Sequence, residues 1–156
     1  MEVLQRSTLE QLPMVRALGR HAGRDPLTLF WTGSGVELSF TGSELWVDFF
    51  ADYEVMEPWV SVELDGVWAA RYPVNPGHSR MCIFRGMAPG RPKHVRLLKD
   101  VQAMYDDPVH CLQVTGLEYA GGSFLPLPEP AYRLEFIGDS ITSGEGAIGA
   151  VEEEDW

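Results

Sequence analysis

From about Val15 to Tyr119 the chain is written in short apolar, aromatic and β-branched runs separated by turn residues, and that rhythm restricts the fold more than any other feature. Val36-Glu37-Leu38-Ser39-Phe40 alternates apolar and polar, which is the period of a half-buried strand. Leu45, Val47 and Phe49 share one face of a run over 44–51, and Val60, Val62 and Leu64 share one face of the next. Asp65-Gly66 follows; both residues tolerate positive φ, so a tight hairpin returns the chain as a strand over 67–74. Pro76-Gly77 and Pro89-Gly90 punctuate what comes after, with strands expected over 80–84, 94–99 and 111–119. About nine or ten strands at this spacing, with no internal repeat, predict a mainly β chain: a two-sheet, jelly-roll-like β-sandwich. Helix signals are confined to one turn near 8–12, where Ser7-Thr8-Leu9-Glu10 fits a capping box and Pro13 stops it.

Charge narrows the partners. Twelve Lys and Arg against 23 Asp and Glu give a net charge of −11. Such a surface repels phosphate backbones and anionic lipid, so neither nucleic acid nor membrane is expected as a partner. Two cysteines, Cys82 and Cys111, make no disulfide framework and read as buried thiols. His21, His78, His94 and His110 lack metal-ligand spacing, and neither a metal nor a cofactor is expected. The N-terminus carries no secretory apolar core and no run long enough to span a bilayer. As given, the chain reads as cytoplasmic, or as secreted with its signal removed; the sequence leaves the compartment open.

Composition changes at Gly121. Gly121-Gly122-Ser123 and then Pro126, Pro128 and Pro130 predict a stiff connector over 121–131, between a sandwich domain over 1–120 and something different in kind over 132–156. There Tyr132-Arg133-Leu134-Glu135-Phe136-Ile137 predicts a strand and Gly138-Asp139-Ser140 a tight turn. A serine at the carboxyl end of a sheet strand lies where open α/β sheets bind ligands. If a helix starts at that turn, the Ser140 N–H is an unpaired first-turn donor aimed at a developing oxyanion. Gly138 permits close approach and Asp139 braces the turn. The bland alternative is a simple helix N-cap over 139–142.

The longer context changes that weighing. Residues 134–146, Leu-Glu-Phe-Ile-Gly-Asp-Ser-Ile-Thr-Ser-Gly-Glu-Gly, resemble the first signature block of the SGNH (GDSL-type) hydrolases, especially the esterases of carbohydrate-esterase family 2. Trp31-Thr32-Gly33-Ser34-Gly35, about a hundred residues earlier, is similar to a segment of the jelly roll that precedes the hydrolase domain in the same esterases. The resemblance implies a serine ester hydrolase that removes acetyl groups from sugar or polysaccharide hydroxyls, with an acylated carbohydrate as substrate. It implies Ser140 as nucleophile and oxyanion donor, with Gly138, Asp139 and Gly144 supporting its turn. It also implies that residues 132–156 are the first strand and turn of an incomplete α/β hydrolase domain. Family members carry further oxyanion donors and a histidine base in later blocks. Only 156 − 140 = 16 residues follow Ser140 here, so the chain alone is expected to be inactive. Glu145 stands where some relatives carry an aromatic residue.

Other features compete for a role. Trp31, Trp46, Trp59 and Trp68 include potential sugar-stacking faces; most strand aromatics pack between sheets, and Trp46 and Trp59 are the candidates for carbohydrate contact. The basic stretch 91–96 reads as a solvated strand edge, and His94 and His110 as surface or edge histidines rather than substitute bases. Arg20 and Arg24 are weak candidates for anchoring a following domain. A strand over 132–138 with no sheet of its own would pair with its sandwich or with a second copy, which makes a homo-oligomer an expectation. The rival reading of the whole chain is a stand-alone carbohydrate-binding or protein-interaction sandwich.

Overall fold

The computed structural model describes residues 3–101, 103, 105–132 and 134–139. Eleven strands follow in order: β1 Gln5–Ser7, β2 Arg16–Leu18, β3 Leu27–Thr28, β4 Gly35–Phe40, β5 Glu44–Asp52, β6 Trp59–Leu64, β7 Val67–Pro73, β8 Gly77–Phe84, β9 Lys93–Lys99, β10 Cys111–Ala120 and β11 Phe124–Leu125. All pairings are antiparallel. One sheet runs β1-β10-β5-β8, with β3 also on β10; the other runs β11-β4-β9-β6-β7, with β2 also on β4. The fold is a jelly-roll-like β-sandwich, and no helix occurs among the described residues.

The alternation places the core. Leu45, Val47, Phe49 and Ala51 of β5 are buried against Val36, Leu38 and Phe40 of β4, Val60 and Val62 of β6, and Val95 and Leu97 of β9. The outward residues between them stay in partial contact with water, as expected of a sheet wet on one face. Phe40 anchors one end, with Phe124 and Tyr119 at ring-centroid distances of 4.7 and 5.6 Å. At the β6–β7 turn Asp65 and Gly66 have φ of 52° and 78°, the double positive φ of a type I′ hairpin.

Several expectations meet a different arrangement. The turn after Thr8 forms, but the side chain that folds back is Gln11, whose Oε1 accepts the Thr8 N–H at 3.1 Å, one residue beyond the expected Glu10. The basic stretch lies on β9, which is flanked by β4 and β6 and is not an edge; Lys93 is buried. Arg24 is no anchor for a following domain: one of its terminal nitrogens donates to the carbonyls of Leu9, Leu12 and Val15 at 3.0, 3.1 and 2.5 Å, holding the N-terminal segment. Within the segment expected as a connector, Phe124 and Leu125 pair with Phe40 and Ser39 of β4. Arg16 then holds the following prolines, donating to the Pro128 carbonyl at 3.0 Å and pairing with Glu129 at 3.6 Å.

Candidate functional site

Gly138 and Asp139, the first two residues of the expected nucleophile turn, are described and exposed. Ser140 and Gly144 lie outside the described residues. Leading to them, Tyr132, Leu134, Phe136 and Ile137 are almost wholly exposed, and 134–139 form no strand. A strand exists only by pairing, and among the described residues Leu134, Phe136 and Ile137 pair with no strand of the sandwich.

Three of the four histidines are held by contacts within the sandwich, and His21 is exposed. The Lys99 ammonium, 2% exposed, donates to the Leu29 carbonyl at 3.2 Å and to His110 Nε2 at 3.0 Å. Burial lowers the Lys99 pKa to about 8. Burial, and then the Lys99 charge, lower that of His110 as well. His110 is therefore held neutral with its Nε2 lone pair spent on Lys99, which leaves it poorly suited to act as a general base. Nearby, Asp107 Oδ2 accepts the N–H groups of Glu54 and Val55 at 3.0 and 2.9 Å, closing this end of the sandwich. His94 Nε2 lies 2.9 Å from Glu37 Oε1 on the outer face of the second sheet. His78 packs against Phe50, their ring centroids 5.1 Å apart. Burial raises the pKa of both half-buried thiols, Cys82 and Cys111, away from reactive thiolate. Among the described residues no cluster of His, Cys, Asp and Glu has the geometry of a metal site.

The tryptophans divide differently from the expectation. Trp46 is half-buried; its Nε1 donates to Glu44 Oε1 at 2.7 Å, and the Arg80 guanidinium sits 4.4 Å from its ring centroid. Trp59 repeats this pattern with Glu57 at 3.1 Å and Arg71 at 4.5 Å. Each of the two candidates thus has one ring face covered by arginine. Among the described residues the open indoles are Trp31 and Trp68, each 60% exposed. Trp68 was signalled by its place, directly after the hairpin turn on the edge strand β7.

Trp31 stands on a rigid loop. Its carbonyl accepts from the Ser34 N–H at 2.9 Å and from the Ser34 hydroxyl. Gly33 donates to Lys99 O at 2.8 Å, and Lys99 N returns to Ser34 O at 2.7 Å. Gly33 has φ +81°, and a Cβ on Gly35 would overlap the Leu97 carbonyl oxygen. The Trp-Thr-Gly-Ser-Gly segment is therefore a backbone device: one glycine makes the turn and the other lets β4 approach β9.

The chain matches no family model. It is 34% identical over 125 residues to the cellulase/esterase CelE of Acetivibrio thermocellus, covering 80% of this chain and 14% of CelE. Its fold superposes on the acetyl xylan esterase Est2A of the rumen bacterium Butyrivibrio proteoclasticus with a TM-score of 0.90 and 44% identity, over 99% of this chain and 42% of that one. This chain is a relative of the family 2 carbohydrate esterases. A family two carbohydrate esterase from Clostridium thermocellum, solved with cellohexaose, agrees at a TM-score of 0.71 and 28% identity, over 90% of this chain and 44% of that one. The chain spans less than half the length of each of these relatives.

Proposed function

We propose that this chain is the sandwich and nucleophile-bearing part of a carbohydrate acetyl esterase, with Ser140 as nucleophile. The observation that carries the reading is the 44% identity to Est2A over 99% of the chain, a span that takes in almost all of both signature segments. Ser140 Oγ would attack the acyl carbonyl, and its proton would pass to a base and then to the departing sugar oxygen. Water would cleave the acyl-enzyme and release acetate. The Ser140 N–H would donate to the oxyanion, with Gly138, Asp139 and Gly144 shaping the turn. Three of the four histidines, His78, His94 and His110, are engaged within the sandwich, which favours a base from the rest of a hydrolase domain and an inactive chain on its own. Leu134, Phe136 and Ile137 would find their sheet in the same hydrolase domain, and in isolation a second copy would serve them.

The test is acetate release from acetylated xylan by the 156-residue chain and by the chain joined to its downstream sequence. The chain alone should stay at background. The longer protein should turn over, and Ser140→Ala should lower its rate by about 10³-fold or more. Turnover that survives Ser140→Ala would remove the reading. A second reading, a sandwich that binds carbohydrate or protein without catalysis, draws its support from the open indoles of Trp31 and Trp68.

A further inference from the structure

The outer surface of the second sheet carries a row of side chains that ester hydrolysis does not use. Arg16, Glu37, Arg96, Glu63 and Trp68 stand directly opposite one another in register across β2, β4, β9, β6 and β7. Arg16 Nη1 donates to Glu37 Oε2 at 2.9 Å, and Arg96 Nη1 donates to Glu63 Oε2 at 2.9 Å. His94 Nε2 takes the other Glu37 oxygen. Arg16, Glu37, Glu63, Gly66, His94 and Arg96 line a groove, and Pro130 contributes to its wall. Trp68 stands open beside Glu63.

We propose that this groove binds a neutral oligosaccharide. The first reason is charge. In a chain of net charge −11, the row balances two guanidinium groups against two carboxylates, each paired with the other. The paired charges leave the row no net excess of either sign to draw an anion or a cation, while carboxylates and guanidinium groups both keep open hydrogen-bonding capacity. A neutral polyol uses both: its hydroxyl hydrogens go to carboxylate lone pairs and its oxygens to guanidinium N–H groups, of which Arg96 gives one of its five to Glu63. The second reason is Trp68, an exposed ring at the end of a hydrogen-bonding row, suited to the C–H face of a sugar. The third is preorganisation, because cross-strand pairing on an interior strand fixes the row without the ligand.

The test is an NMR and calorimetric titration of the 156-residue chain with unacetylated xylohexaose and cellohexaose. Saturable binding is expected, with shifts mapping to 16, 37, 63, 68, 94 and 96. Trp68→Ala and Glu63→Gln should each weaken it about tenfold, a loss of about 1.4 kcal/mol. Trp46→Phe, on the other sheet, should leave it unchanged. Ser140→Ala should also leave it unchanged, so failure of the esterase reading and failure of this one are told apart. No saturation up to about 10 mM sugar overturns the proposal. So does tighter binding of polygalacturonate than of the neutral chains, shift mapping that excludes the groove, or a groove occupied by residues 132–139 of the chain itself. Should a variant fail to fold, the wild-type shift map decides.

Discussion

The interior strands β5 and β9 hold equivalent places in the two sheets and solve the same problem differently. The inward set of β5 is wholly apolar: Leu45, Val47, Phe49 and Ala51. The inward set of β9 is Lys93, Val95, Leu97 and Lys99, with a buried ammonium at each end. Lys93 Nζ donates to the carbonyls of Gly42 and Ala88, under the ring of Phe84. Lys99 Nζ has one carbonyl and a neutral imidazole. The long side chains run out of the apolar centre to the loops at either end and donate to loop carbonyls, those of buried Gly42 and Leu29 among them. On the outside the contrast continues. Beside β5, Arg80 of β8 lies over Trp46 and bonds Glu118; on β9 itself, Arg96 pairs with Glu63 and leaves Trp68 open. A strand's place in a sheet sets which residues point inward, but the ends of the strand decide what chemistry that inward face needs.

Substitutions along both strands can break or sharpen this contrast. Phe49→Ala, in the purely apolar set, should cost about 3–5 kcal/mol in urea unfolding, because the cavity cannot refill. Lys93→Met should cost about 2–4 kcal/mol, since two carbonyls lose their donor. A loss below about 1 kcal/mol would mean that those loops find other donors. Lys99 should show itself through pH. Its folded pKa of about 8 lies below its ordinary 10.5, so the unfolded chain binds the proton more tightly. Stability should therefore rise with pH between about 8 and 10.5, by up to about 3 kcal/mol from this group. The difference between wild type and Lys99→Met in denaturation across that range should show this rise, because the raised Cys82 and Cys111 thiols, which act the opposite way, and the lowered Lys93, which acts the same way, are common to both proteins. The smallest effect belongs to the outer faces. Arg80→Ala should cost about 1 kcal/mol and shift Trp46 emission to the red as its ring meets water, whereas Arg96→Ala should cost less and lose its effect in high salt.

Much of the fold was legible because it is local. Val36, Leu38 and Phe40, or Leu45, Val47 and Phe49, announce a strand and its inner face by period alone, and Asp65-Gly66 announces its own hairpin. The site was legible only as a motif. The Gly-Asp-Ser and Trp-Thr-Gly-Ser-Gly segments are short, and it is their resemblance to family segments that ties them to a function. The burial of Lys93 and Lys99 was not legible. A lysine in an alternating strand reads as solvated until the strand is known to lie between two others, and the neighbours of β9 stand some 30–60 residues away in sequence. The same holds for Trp46 and Trp59, which are covered by arginines from neighbouring β8 and β7.

By itself, then, the sequence determined the alternation, the turns and the kinship with family 2 carbohydrate esterases. Those depend on residues next to one another and survive without a partner strand. Tertiary structure alone decided which indoles face water, which lysines lie beneath the loops, and which charges line up across four strands. Each of these is set by pairing between distant segments. Residues 134–137 mark the boundary between the two: they belong to a run that spells a strand, and they form none with the sandwich among the described residues, because a strand needs a paired neighbour.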